Sequence, residues 1–289
     1  MSAFNQPSRR ALLGAAFGLA AALALPIPAS ALPLRKVRET GVLKIAVYRD
    51  FAPWSWRENG VLKGIDVEFG QALAERLGVK AELIDFMADE GVSDDLRNMV
   101  WRGPLIGGTA ADVMMHVPYD PAFAKLNDRV VIVGPYYREG FAMACSRDID
   151  CEVPPPQFKG KKLAAELDSI PDFYLSGSFG GVLRSDVTHQ TSALKAFDLV
   201  TEHKADVVMA TRAQVEHAMT RPGAEALVKR KGALPALPSA GWDVGLAIKD
   251  DSRDLADALE GHVEAMRADG SIDAILARYG VSPHAPLHG

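Results

Sequence analysis

Two cysteines among 289 residues are too few for a disulfide framework or a thiolate metal cluster. No His or Cys neighbours flank the pair Cys145 and Cys151, and their spacing is not the C-x-x-C of a redox dithiol. In an oxidising compartment a local structural disulfide closing a small loop is the expected state. Basic excess is also missing: 32 Lys and Arg stand against 37 Asp and Glu. Nucleic acid, which needs a basic face, is therefore not an expected partner. Beyond the first 31 residues no apolar run is long enough to span a bilayer. No G-x-S-x-G, H-E-x-x-H or Cys–His pairing occurs, and no acid–base dyad can be assigned, so neither catalytic nor metal-binding residues are expected. The carboxylates Asp85, Asp89, Glu90, Asp94 and Asp95 lack the spacing of a calcium loop and read as a solvated loop and helix start. Heptads, internal repeats and low-complexity tracts are absent, and no cofactor is implied.

What is present begins with an address. Ser8-Arg9-Arg10-Ala11-Leu12-Leu13 opens an apolar run through Leu25, and Ala29-Ser30-Ala31 supplies a small-residue cleavage site. Residues 1–31 read as a twin-arginine export signal, an ordinary secretory signal with two arginines being the alternative. Pro26 and Pro28 break the run, which argues against a membrane anchor. Either signal places the mature chain in the periplasm. Removing its two arginines takes the net charge from −5 to −7.

The mature part alternates strand and helix. Val42–Tyr48 is an apolar β-rich run, and Asp66 is positioned to cap a helix that Gly78 stops. A strand over Val79–Phe86, a helix over Asp94–Val100 and a strand over Ala111–Met115 follow. After Tyr137 the pattern restarts with strands at Phe141–Cys145, Lys162–Glu166 and Asp206–Met209, and helices at Ser192–Lys204 and Arg212–Met219. Trp242–Ile248 is again extended. Arg253–Ala268 carries Leu255, Leu259, Val263 and Met266 on one stripe, and a short helix over Ser271–Tyr279 is the last. Pro-rich 153–156 and 233–238 read as connectors, and His284–His288 as a frayed tail. Such alternation implies an α/β fold with parallel strands.

These elements, in this order, resemble the amino-acid-binding family of periplasmic solute-binding proteins, bacterial family 3. The resemblance rests on Phe51-Ala52-Pro53-Trp54 after the first strand, Gly64-Ile65-Asp66-Val67, Lys159-Gly160-Lys161-Lys162-Leu163, Gly241–Ile248, Met266–Gly270 and Ile275–Gly280. It implies a two-lobed type II binding-protein fold, each lobe a mixed sheet flanked by helices. Lobe 1 would be residues 32–137 and 242–289, and lobe 2 residues 138–241, with hinge crossings at Pro135–Arg138 and Ser239–Trp242. It further implies a monomeric receptor that passes a small ligand to a membrane ABC importer.

The family's ligand anchors are out of register here. Counting back from Pro135 to the place of its carboxylate-gripping Arg lands on Leu126, and the place of its ammonium-binding Asp holds Thr211. Glu166-Leu-Asp168-Ser169-Ile170-Pro171 replaces its anion loop. A standard free amino acid is therefore not the expected ligand. Asp112-Val113-Met114-Met115-His116-Val117-Pro118 with Pro135-Tyr136-Tyr137-Arg138 is similar to a narrower group associated with quinoprotein methanol and alcohol dehydrogenases, departing from it at His116 (Gly there) and Glu139 (Ser there). That resemblance implies an accessory role beside a periplasmic dehydrogenase. A dehydratase-like use of the same fold, with His116, Asp120 and Glu166 as proton carriers, is a third reading.

Expected ligand-facing residues are Phe51, Trp54 and Trp56 at a strand end, Tyr119 and Tyr136 as amphipathic cleft walls, and His116 with Asp120 as a polar spot. Asp168 is expected to meet a cation, polyol or ammonium group, with Thr211 and Arg212 at a helix start. Structural alternatives stand beside several of these: a satisfied core histidine at 116, a solvated Asp168, a surface ion pair for Arg212.

Overall fold

The computed structural model describes residues 33–237 and 239–288, so the export signal lies outside the described residues. The elements in chain order are α1 (Pro33–Thr40), β1 (Val42–Tyr48), β2 (Asp50–Phe51), β3 (Ser55–Glu58), β4 (Val61–Lys63), α2 (Ile65–Arg76), β5 (Lys80–Phe86) and α3 (Val92–Leu96). Next come β6 (Val113–Pro118), α4 (Pro121–Leu126), β7 (Val130–Glu139), β8 (Phe141–Ser146), β9 (Leu163–Glu166), α5 (Ile170–Gly177), β10 (Val187–Gln190) and α6 (Ala193–Thr201). The chain closes with β11 (Val207–Thr211), α7 (Arg212–Ala218), β12 (Leu227–Lys229), β13 (Trp242–Lys249), α8 (Arg253–Ala268) and α9 (Ser271–Arg278).

Two five-stranded mixed sheets result, ordered β5-β1-β6-β13-β7 and β10-β9-β11-β8-β12, with β2-β3-β4 as a small third sheet. In the first sheet β1 runs parallel to β5 and β6, while β13 is antiparallel to β6 and β7. Alternation along β1 explains why both its faces are buried: Leu43, Ile45 and Val47 pack with α2 and α8, whereas Ala46 joins Leu96, Met99 and Met114 behind the sheet. The stripe Leu255, Leu259, Val263 and Met266 of α8 is buried as its spacing requires.

The chain leaves the first sheet where β7 ends at Glu139 and enters the second at Phe141, and it returns at Trp242. These crossings touch. A Cβ on Gly241, at φ 138°, would lie 2.3 Å from the carbonyl oxygen of Glu139, so only glycine fits. Asp243 fastens the pair by accepting from Arg138 at 2.8 Å, and it also holds the backbone N–H groups of Leu287 and His288. Burial alone would raise its carboxyl pKa, but Arg138, the His288 ring and those N–H donors leave it below the usual range. The C-terminal tail is thus docked on the crossing rather than frayed.

Two other expectations change. Asp66 does not cap α2. Gly64 does, at φ 137° with its Cα packed on the carbonyl of Trp54, and Asp66 turns inward with 1% exposure. The segment expected as one helix over Asp94–Val100 is α3 followed by a π-turn over Arg97–Trp101. Cys145 and Cys151 form a disulfide with Cα atoms 5.6 Å apart, at the end of β8. Among the described residues no helix is long and apolar enough to cross a membrane.

Candidate functional site

The carboxyl ends of β1, β6, β9 and β11 meet across adjoining cavities of about 630, 310 and 140 Å³. Glu166 lines all three; Phe51 and Trp242 line the two larger ones. This volume falls in the range of small-molecule sites, roughly 300–1,000 Å³.

On the first-sheet side, a bulge aims His116 at the largest cavity. Val117 pairs with Gly245 and Met114 with Ala247, so Met115 and His116 together face one residue of β13. His116 takes φ 62°, a conformation that favours glycine and costs a bulky residue on the order of 1 kcal/mol. The ring is 7% exposed and packs 4.5 Å from Trp54 and 4.9 Å from Phe51, centroid to centroid. Its Nδ1 lies 3.2 Å from Asp66 Oδ2, slightly off hydrogen-bond alignment. Asp66 Oδ1 accepts from the Tyr136 hydroxyl at 2.6 Å, and that hydroxyl accepts the His116 N–H at 3.1 Å. Burial, then the Asp66 charge, pushes the Tyr136 phenol well above its ordinary pKa, which keeps it a donor.

On the second-sheet side, Glu166 ends β9 and accepts the Ala193 N–H at the start of α6 at 3.1 Å. Burial raises its carboxyl pKa above the usual value, and that one N–H only partly offsets the rise. Asp168 lines the 310 Å³ cavity at φ 60°, donating its N–H to Asp172 at 3.2 Å. Thr211 lines the same cavity while capping α7, its hydroxyl and the Gln214 side chain forming a capping box.

Both guanidiniums at these cavities are engaged. Arg49 and Arg57 converge on Asp85, at 2.8 and 2.7 Å, and the Arg57 hydrogen bond is the largest influence holding that carboxyl far below its ordinary pKa. Asp94 and Asp95 stand in the first turn of α3, as the helix-start reading expects, but Asp95 is buried rather than solvated, accepting from Tyr48 Oη at 2.9 Å and the Asp89 N–H at 2.8 Å. Desolvation raises its pKa.

Phe51, His116, Asp168 and Thr211 are therefore brought together as the sequence suggests. Trp56 lines only the smallest of the three cavities, with Lys63 over its ring at 4.8 Å. Trp54 is fully buried in the core behind Phe51 and His116, and Tyr136 is buried beneath His116; both support the wall instead of forming it. Tyr119 and Asp120 border a separate pocket with Pro121, Ala124 and Ile132, because Asp120 caps α4 by accepting from Phe123 N at 2.7 Å. Arg212 sits at the crossing, donating to the Arg138 carbonyl at 2.7 Å, and lines a different cavity of about 420 Å³. Trp242 and Gln214 have no place among the expected site residues, and Glu166 appears there only as a proton carrier in the dehydratase-like reading. Strand-end position was the available signal for Glu166; for Trp242 there was none, since its strand is antiparallel and enters the site by its first residue.

Comparisons with known proteins agree with this architecture. The family model described as "Bacterial extracellular solute-binding proteins, family 3" matches residues 43–99. The L-cystine-binding protein TcyJ of Escherichia coli (strain K12) is 24% identical over 278 residues, spanning 94% of this chain and 95% of that protein. Cyclohexadienyl dehydratase of Pseudomonas aeruginosa is 42% identical over 52 residues only, 18% of this chain and 19% of that enzyme. Among solved structures, an ancestral cationic amino acid solute binding protein superposes with a TM-score of 0.67 at 20% identity, covering 86% of this chain and 99% of its own. An amino acid ABC transporter substrate-binding protein from Streptococcus pneumoniae bound to L-arginine gives a TM-score of 0.62 at 17% identity, covering 86% and 97%. The shared fold is that of the type II periplasmic binding proteins.

Proposed function

Taking the chain as a solute-binding protein of the family 3 type, we propose that it is a periplasmic receptor delivering a small solute other than a standard free α-amino acid to a membrane importer. The observation that carries this reading is the state of the guanidiniums. A receptor for amino acids grips the α-carboxylate with a free Arg, bidentately. Here Arg49 and Arg57 are spent on Asp85, and Arg212 on a backbone carbonyl at the crossing. The residues that remain for a ligand are Phe51, His116, Glu166, Asp168, Thr211 and Trp242. Residues 32–137 with 242–289 would move as one lobe against 138–241, closing only as far as the solute contacts both. Export by the twin-arginine route belongs to the same reading, and Arg9Arg10→LysLys tests it by leaving precursor in the cytoplasm.

A thermal melt against amino acids, amines, polyols, organic acids and metal ions tests the receptor role. A solute at 100 times its Kd adds about 2.7 kcal/mol, and the melting temperature rises by several degrees. A silent panel contradicts the receptor role. The second reading, an accessory of a periplasmic quinoprotein dehydrogenase, draws support from the left-handed backbone at His116, where the proteins it resembles carry glycine. It requires the silent panel together with co-purification of that enzyme.

A further inference from the structure

We infer that the cleft receives an organic ammonium ion carrying no α-carboxylate, held by Glu166 and the His116 ring between the aromatic walls of Phe51 and Trp242. The inference rests on the solute-receptor reading and names the class of solute.

Charge comes first. The largest cavity presents Asp50, Asp89, Glu90, Asp95 and Glu166, and its guanidinium, Arg49, is bound to Asp85. An anion entering would face this field without a free cation to meet it. The nearby N-terminus of α6, the other feature that attracts anions, is already occupied by the Glu166 carboxylate. Glu166 itself faces no basic side chain within ion-pair distance among the described residues. A ligand ammonium would supply the missing counter-charge.

Hydrogen-bond polarity points the same way. His116 is more than nine-tenths buried, and its side chain makes no hydrogen bond among the described residues. Its Nδ1 is sealed 3.2 Å from the Asp66 carboxylate, which favours the tautomer with the proton on Nδ1. In the neutral ring that tautomer leaves Nε2 as a lone-pair acceptor, and the ring lines the largest cavity. An acceptor beside a carboxylate calls for a ligand that donates. The walls complete the site: Phe51 and Trp242 line the cavity, and the π-system of an aromatic ring attracts a desolvated ammonium. Phe141, 5.1 Å from Trp242, extends the aromatic surface into the 310 Å³ cavity.

Calorimetric titration of the full chain with cadaverine, tyramine and choline, each against a carboxylated counterpart (L-lysine, L-tyrosine, glycine betaine), tests this. At least one amine should bind at least about tenfold more tightly than its counterpart. Glu166→Gln should weaken that amine by about tenfold or more while the variant keeps a cooperative melt. Tighter binding of the carboxylated partners, or affinity untouched by Glu166→Gln, overturns the inference and leaves the receptor reading standing. Failure of all six probes beside a positive melt with another solute class overturns the inference alone. Silence in both experiments overturns the receptor reading as well.

Discussion

The two sides of the cleft are built on opposite principles. On the first-sheet side, most polar groups are locked to each other: Tyr136 to Asp66, the His116 N–H to Tyr136, Arg49 and Arg57 to Asp85, with Trp54 packed solidly behind and the His116 ring left without a hydrogen bond among the described residues. On the second-sheet side Glu166 keeps one N–H contact and Asp168 is exposed. The first side is a pre-formed wall, and the second carries uncompensated charge. Side chains supporting the wall are over-determined by packing, so changes there cost stability. Changes opposite it cost affinity. Satisfied groups define shape, and unsatisfied ones define the ligand.

The largest effect that sharpens this contrast is Trp54→Ala. Removing a fully buried indole should cost about 3–5 kcal/mol in urea unfolding. Phe51→Ala, one layer forward and partly exposed, should cost clearly less while removing most ligand affinity. Equal stability losses would erase the distinction between support and wall. Next, Cys145→Ser with Cys151→Ser should lower stability by about 2 kcal/mol, as expected for so short a loop, with thiol titration of the wild type showing no free thiol until reduction. Tyr136→Phe should cost roughly 1–3 kcal/mol, because Asp66 and the His116 N–H both lose a buried partner.

The smallest effects are matters of sign. The Glu166 pKa is raised by burial, so its ionised form burdens the folded state above that pKa, and the burden lifts below the ordinary carboxylate value of about 4.3. Glu166→Gln should therefore raise the melting temperature at pH 7 and lose that advantage near pH 4. The Asp243 pKa is lowered, so its contribution is complete above about 3.9 and fades as pH falls through the folded value. Asp243→Asn should destabilise at pH 7 and progressively less in acid. Matching signs for the two variants at pH 7 would contradict the contrast.

Local pattern carried much of the fold. The apolar run of β1 and the stripe of α8 could be read directly, because each is a periodicity that buries one or two faces. Ser169-x-x-Asp172 with Pro171 marks the start of α5 in plain view, within the stretch that stands in place of the family's anion loop. What no local rule supplies is long-range. Gly64 becomes the cap of α2 because Trp54 lies against it, Asp66 turns inward because Tyr136 meets it, and Asp243 gathers a tail more than 40 residues away. In the site, Phe51 is legible as a strand-end residue, and Thr211 from its place at a helix start in the resemblance. Trp54 and Tyr136 have the same amphipathic character, and only three-dimensional depth separates wall from support.

The central claim is that one solute is held from both sides at once, and small-angle X-ray scattering tests it most directly. The radius of gyration of the protein should fall when the amine that binds in calorimetry is added at saturation, and Glu166→Gln should abolish the fall at the same concentration. A radius of gyration unchanged at proven saturation would contradict a ligand gripped between the two sheets.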